Sequence, residues 1–303
     1  MHAFSTSDRF ARLDERDRDR LESLSKLDEF PAGAVVLSGG APSEWLSLIA
    51  AGAVELRAQA PDGEVVLARL GPGDLFGEEE GFAHLSALVR HVAVEPTIVR
   101  CVPKGPLKAE LRHHRSLALG LLSAYARSIS EKLRQVSEVA ARSPAATPLS
   151  RPPPVTPGPA QELAQGPLGR PPHLTGEEAA WLSMLGQQLE VAADERVVVE
   201  GDTTRSFFVV DDGMLEVRKA TPAGEKALAR LAKGDLFGFM ASVDGRPRSA
   251  SVVALGPCKL VRVEADALEK SLGLNFTVAF KFLGTLCGVL GKTLHDTVER
   301  ITG

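Results

Sequence analysis

The stretch Leu228-Ala229-Arg230-Leu231-Ala232-Lys233-Gly234-Asp235-Leu236-Phe237-Gly238 nearly repeats Leu67-Ala68-Arg69-Leu70-Gly71-Pro72-Gly73-Asp74-Leu75-Phe76-Gly77, which lies 161 positions earlier. Extended without gaps, the same offset sets Pro61, Gly63 and Glu64 on Pro222, Gly224 and Glu225. It then sets Gly52, Glu55 and Arg57 on Gly213, Glu216 and Arg218, and Gly40 on Gly201. Solenoid repeats are far shorter than this, so the period marks a duplicated domain. A chain of 303 residues is long enough for two such domains, each with its own core.

Both copies follow one plan. Asp14 is placed to cap a helix carrying Leu21, Leu24 and Leu27, which ends before Pro31; Thr175 with Glu178 forms a capping box ahead of Trp181, Leu182 and Leu185. The period then drops to two. Short runs Val35-Val36-Leu37, Leu46-Ser47-Leu48-Ile49, Ala53-Val54-Glu55-Leu56-Arg57 and Val65-Val66-Leu67-Ala68 are separated by Gly-containing turns. Their counterparts are Val197-Val198-Val199, Phe207-Phe208-Val209-Val210, Leu215-Glu216-Val217 and Ala227-Leu228-Ala229. Many short antiparallel strands with glycine corners predict a jelly-roll sandwich.

After Val102 and Val263 the period returns to that of a helix. Leu117, Leu121, Tyr125, Ile129, Leu133, Val136 and Ala140 form one stripe; Phe276, Phe280, Leu283, Leu286, Leu290, Leu294, Val298 and Ile301 form the other. Helices over 116–141 and 275–301 follow, each either folding back on its own roll or pairing with another helix, in a homodimer or with a protein partner. The expected fold class is thus α+β, mainly β: two tandem jelly-rolls, each with an N-terminal helix and a long C-terminal helix. The domains are residues 1–142 and 173–303. The Pro-, Ala- and Gly-rich segment 143–172 reads as a linker, in which Arg151, Pro154 and Pro157 fit a polyproline ligand pattern.

Composition narrows the function classes. A formal charge of -4 gives no case for non-specific nucleic-acid binding, which needs a cationic surface. The three cysteines, Cys101, Cys258 and Cys287, are odd in number and far apart, so they predict reduced thiols. The N-terminus has no secretory pattern. Lys281 and Lys292 interrupt the most apolar run, from Phe276 to Leu294, so no membrane span is expected and the location is expected to be cytoplasmic. Abundant Ala, Arg, Leu and Gly beside a single Asn point to a GC-rich bacterial genome. His84 and His91 lack metal-site spacing, and no nucleophile–base set has a recognisable context; neither an enzyme nor a metal or cofactor is expected.

Helix, roll, Gly-Asp-Leu-Phe-Gly and long helix together resemble the cyclic nucleotide-binding domain family. The likeness covers roughly residues 14–141 and 175–302, with Glu200-Gly201-Asp202 as the early glycine turn and Gly234–Gly238 leading into Arg246-Pro247-Arg248-Ser249-Ala250-Ser251-Val252 as the phosphate-binding cassette. The resemblance implies that a glutamate directly after Phe-Gly accepts the ribose 2'-hydroxyl. It also implies that an Arg-Ser/Thr-Ala strand, with amides of a short helix, holds the cyclic phosphate. In the second copy the implied ligand residues are Gly238, Phe239, Met240, Arg248, Ser249 and Ala250, with Phe239 standing where the glutamate belongs. In the first they are Gly77, Glu78 and Arg90. There the gapless register sets Ala87 opposite Arg248, and Arg90 reaches the phosphate position only through a three-residue insertion. Glu79 and Glu80 would repel an incoming phosphate, so the first cassette reads as degenerate.

For several of these residues the plain reading stands beside the functional one. Glu78 could cap the short helix, Arg248 could serve an ion pair, and Phe239 could be core or a surface for stacking a base. The leading expectation is a non-catalytic regulatory protein in signal transduction that senses a cyclic nucleotide, cAMP or cGMP, in its second domain. Binding would reposition the last helix toward a partner. The alternative is a ligand-independent scaffold of two pseudo-domains. Direct DNA binding is not expected, since neither long helix is followed by a helix-turn-helix pattern.

Overall fold

The computed structural model describes residues 4, 7–38, 43–82, 88–143 and 174–303. Gly40, His84, Ala87, and the linker from residue 144 with its polyproline pattern, lie outside the described residues.

In the first copy α1 (Glu15–Leu24) precedes eight strands: β1 (Lys26–Phe30), β2 (Val35–Leu37), β3 (Trp45–Ala51), β4 (Val54–Ala60), β5 (Gly63–Leu70), β6 (Leu75–Phe76), β7 (Val89–Ala93) and β8 (Thr97–Pro103). Helices α2 (Lys104–His113) and α3 (Arg115–Arg142) follow. The second copy repeats the series with α4 (Gly176–Leu185), β9 (Gln187–Val191), β10 (Arg196–Val198), β11 (Ser206–Asp212), β12 (Leu215–Thr221), β13 (Gly224–Leu231) and β14 (Leu236–Phe237). It continues with α5 (Phe239–Asp244), β15 (Ser251–Ala254), β16 (Cys258–Glu264), α6 (Ala265–Leu274) and α7 (Phe276–Thr302).

Each roll is a pair of four-stranded antiparallel sheets. Their orders are β1-β8-β3-β6 with β2-β7-β4-β5, and β9-β16-β11-β14 with β10-β15-β12-β13. This alternation of neighbours between two sheets is the jelly-roll winding that the strand pattern predicts. Registers agree too: Val54 pairs with Ala93 and Leu215 with Ala254, both displaced by the repeat offset. Between the sheets Ile49, Val54, Phe76 and Val99 are buried in the first copy, and Phe208, Leu215, Phe237 and Ala254 in the second. Each of these side chains other than Ala254 contributes about 1.5–3 kcal/mol by leaving water.

The caps form as expected. The Asp14 carboxylate accepts from the Asp17 amide at 2.8 Å. Thr175 Oγ1 accepts from the Glu178 amide at 3.3 Å while Glu178 accepts from the Thr175 amide at 2.9 Å, which completes the capping box. Leu27 corrects the first-helix reading. The helix stops at Leu24, and Leu27 sits half-exposed on edge strand β1, because Ser25 is already extended.

The chain splits into two compact units. One holds Met1–Val136 with Leu290–Gly303, and the other holds Gly169–Val289 with the end of α3 from Ser137. Both stripes are spent inside the fold: Leu117, Leu121, Ile129, Leu133 and Val136, and Leu286, Leu290, Leu294, Val298 and Ile301, are all buried. At the start of α7 the stripe residues Phe276 and Phe280 are partly exposed. One further correction concerns α7. Despite Lys281 and Lys292 it is long and apolar enough to cross a bilayer, with a hydropathy of 1.2, and 61% of its most apolar window is buried within the fold.

Candidate functional site

In the second copy the chain turns at Gly238, whose φ of 78° is left-handed, and α5 begins at Phe239. Space is as restrictive as the dihedral angle. A Cβ on Gly238 would stand 2.9 Å from Arg248 Nη1 and 3.4 Å from the Ser206 carbonyl. Ten residues further on, Arg248 returns beneath this turn, its amide donating to the Asp202 carbonyl at 2.7 Å and its carbonyl accepting from Gly201 at 2.9 Å. The Glu200-Gly201-Asp202 turn thus fixes the backbone of the arginine.

The Arg248 side chain is only 5% exposed. Nη1 donates to the Gly238 carbonyl at 2.5 Å, Nη2 to the Ser206 carbonyl at 2.6 Å, and Nε and Nη2 reach Thr204 Oγ1 at 3.3 and 3.2 Å. A buried guanidinium carries a fork suited to an anion. Ser249 Oγ meets the Met240 sulfur, a weak acceptor, at 3.8 Å. Behind Ser249, the buried Lys219 of β12 donates to the Ser249 carbonyl at 2.8 Å and to Glu200 at 2.7 Å.

The structure therefore gathers Gly238, Met240, Arg248 and Ser249, with Ala250 next in the chain. Phe239 is buried at the first position of α5 and offers no acceptor. Sequence reasoning missed Thr204, Ser206 and Lys219. The signal for Lys219 was its place in β12: it falls two residues after Val217, at the position that buried Ala58 takes in β4.

The first copy differs at each of these points. Gly77 has φ 86°, and a Cβ there would stand 2.8 Å from the Trp45 carbonyl, the counterpart of Ser206. The carbonyl that Arg248 caps in the second copy is capped here by Lys104, whose Nζ donates to Gly77 at 2.7 Å and to Ser43 at 2.7 Å. Glu78 does not cap the short helix Glu79–Gly81. Its carboxylate, wholly buried, instead accepts from Lys132 Nζ at 2.8 Å, and Lys132 also reaches Glu79 at 3.0 Å.

Arg90 is not brought to this place. It pairs with Arg57 across β4 and β7, is about half-exposed, and bonds Glu64 on the outer face of the sheet. Strand pairing keeps β7 in gapless register with β15, so Arg90 corresponds to Ser251 and His91 to Val252. The expected insertion does not shift β7. His91 is the residue that turns inward, stacked on Phe76 with ring centres 5.0 Å apart and its Nε2 3.3 Å from Glu79.

The sequence matches the cyclic nucleotide-binding domain family in two segments, residues 27–114 and 188–273, which together make up more than half of the chain. The chain belongs to that family, with one domain in each copy. A cAMP-dependent protein kinase regulatory subunit of Mycosarcoma maydis is 31% identical over 124 residues, which is 41% of this chain and 22% of that protein. A cAMP-dependent protein kinase type II regulatory subunit of Drosophila melanogaster is 36% identical over 80 residues, 26% of this chain and 21% of that one. The match thus spans about a fifth of the length of either regulatory subunit. Among solved structures, a cyclic nucleotide-binding domain from Methylobacillus flagellatus is 29% identical, covering 42% of this chain and 72% of that one, with a TM-score of 0.40.

Proposed function

We propose that the chain is a non-catalytic regulatory protein that takes a cyclic nucleotide, cAMP or cGMP, in its second domain and none in its first. The observation that carries this reading is the buried Arg248 guanidinium, which lies under the cassette turn, donates to the Gly238 and Ser206 carbonyls and reaches Thr204. A cyclic phosphate offers the same fork a charged partner and gives Ser249 an acceptor better than the Met240 sulfur. The regulatory subunits similar to this chain are named for dependence on cAMP, which favours that nucleotide as the first to test. Exchange of the Gly238 carbonyl for phosphate at Arg248 would free the cassette turn to move, and with it α5 and the helices beyond β16.

Phe239 limits affinity. A ribose hydroxyl buried against its ring without an acceptor costs about 1–3 kcal/mol, roughly ten- to a hundredfold in binding. The same observations favour a second reading, a ligand-independent scaffold, because Arg248 already has protein acceptors and acts as a strut between β11 and the cassette. Isothermal titration and thermal unfolding of the full chain with cAMP and with cGMP separate the two, with Arg248→Lys as control. Saturable binding that raises Tm and disappears in Arg248→Lys is expected of a sensor. Equal unfolding with and without millimolar nucleotide overturns it in favour of the scaffold.

A further inference from the structure

The first copy holds a sealed cluster that a nucleotide-binding role leaves unexplained. Glu78 and Glu79 come from the cassette turn, His91 from β7 and Lys132 from α3, and every one of these side chains is at most 1% exposed. Among the described residues these four are the charged and titratable groups that the two carboxyls meet. Lys132 binds both carboxylates, at 2.8 and 3.0 Å, and the carboxyls are within hydrogen-bonding reach of each other. Glu78 Oε2 has no hydrogen-bond partner, while Glu79 Oε1 faces His91 Nε2 at 3.3 Å. Two carboxylates against one ammonium leave one negative charge for a proton to balance, on a carboxyl or on the adjoining His91, out of water where an unbalanced charge is costly. Facing acceptors also need a donor, and one proton supplies both the charge and the donor.

We propose that this cluster is a proton-binding site: a single proton held between the Glu78 and Glu79 carboxyls leaves them one negative charge to balance Lys132 and fastens α3 to the cassette turn. Titration follows the geometry. Burial, then the charge of Glu79, pushes Glu78 up to about 7 against the pull of Lys132. Burial also opposes ionisation of Glu79, yet Lys132 and His91 hold it well below the usual carboxylate range. The two groups share the site, so the proton belongs to the pair. A carboxyl raised above its unfolded value stabilises the fold below that value and loses the contribution as pH rises through about 7. The attachment of α3 is therefore firm on the acid side of neutrality and weakens on the alkaline side. This inference does not depend on whether the second copy binds nucleotide.

Hydrogen exchange of the full chain, followed on the α3 amides and corrected for the intrinsic pH dependence of exchange, tests it. Between about pH 6 and about pH 8 the opening of α3 around Lys132 is expected to rise about tenfold. In Glu78→Gln, a neutral isostere of the protonated acid, it is expected to stay level. An equal rise in both chains, or none in the wild type, overturns the proposal. Infrared difference spectra of the wild-type chain across the same range read the neutral buried carboxyl without any variant. Loss of its carbonyl band at the higher pH is expected, and absence of that band at the lower pH overturns the proposal.

Discussion

Arg248 donates to the Gly238 carbonyl at 2.5 Å, the bond that Lys104 gives Gly77 at 2.7 Å in the first copy. The cassette turn thus needs a cation under its glycine carbonyl in either copy, whether or not an anion binds. In the first copy that cation is Lys104, the first residue of α2, and the gapless register sets Ala87 opposite Arg248. The duplicated fold fills the same structural role with different side chains.

Two substitutions should therefore behave differently. Lys104→Met leaves the Ser43 and Gly77 carbonyls without their donor and is expected to cost about 2–4 kcal/mol in urea denaturation, with nucleotide binding unaltered. Arg248→Lys keeps a positive charge but not the fork, so about 1–2 kcal/mol of stability is expected to be lost, together with any shift in Tm from cAMP or cGMP. If Arg248→Lys binds as the wild type does, the guanidinium is only a strut.

Phe239 gives a prediction in the opposite direction. Phe239→Glu supplies a carboxylate at the position where the first copy carries Glu78. Titration calorimetry is expected to show nucleotide binding tightened by about tenfold or more, from a charge-assisted bond to the ribose hydroxyl. The free protein is expected to melt lower, since no lysine counterpart is set to balance the new charge. An unchanged affinity in the folded variant would mean that the sugar does not approach α5.

Lys132→Met removes the only ammonium that Glu78 and Glu79 are seen to bind among the described residues. Breaking a buried pair from one side costs about 3–5 kcal/mol. Both carboxyls then hold their protons more tightly in the folded state, so the loss is expected to be largest at about pH 8 and smaller toward about pH 5. Chemical denaturation at the two pH values checks the sign; a loss that grows toward acid contradicts it.

The strands were legible because period-two runs between glycine turns leave a half-buried antiparallel strand as the simplest reading, and Val35–Leu37 is found as the sequence predicts. The grouping of Gly238, Arg248 and Ser249 was legible because they lie within one short segment whose turn fixes them. Lys132 was not. It stands beside Leu133 on a helix where a lysine ordinarily marks the solvated side, and its partners lie 53 and 54 residues away. Arg90 and His91 show the same limit on a strand, since a slip of one position exchanges the inward and outward residues. Residue type gave the chemistry, but which side chain turned inward depended on contacts that span the roll.

Gly77 and Gly238 make the last comparison. Both hold a left-handed φ, which costs an alanine about 1–2 kcal/mol before any contact is counted. At Gly77 the added Cβ meets the Trp45 carbonyl at 2.8 Å, a backbone atom held in β3 by strand pairing, so β3 or the turn must shift. At Gly238 the nearest atom is Arg248 Nη1 at 2.9 Å, the group proposed to meet the phosphate. Gly77→Ala is expected to destabilise the chain by about 2–4 kcal/mol and leave nucleotide affinity as it was. Gly238→Ala is expected to displace the guanidinium and weaken binding by at least about tenfold for a comparable loss of stability. Denaturation and calorimetry on the two variants decide the matter, and nucleotide binding lost in Gly77→Ala but kept in Gly238→Ala would assign the site to the first domain.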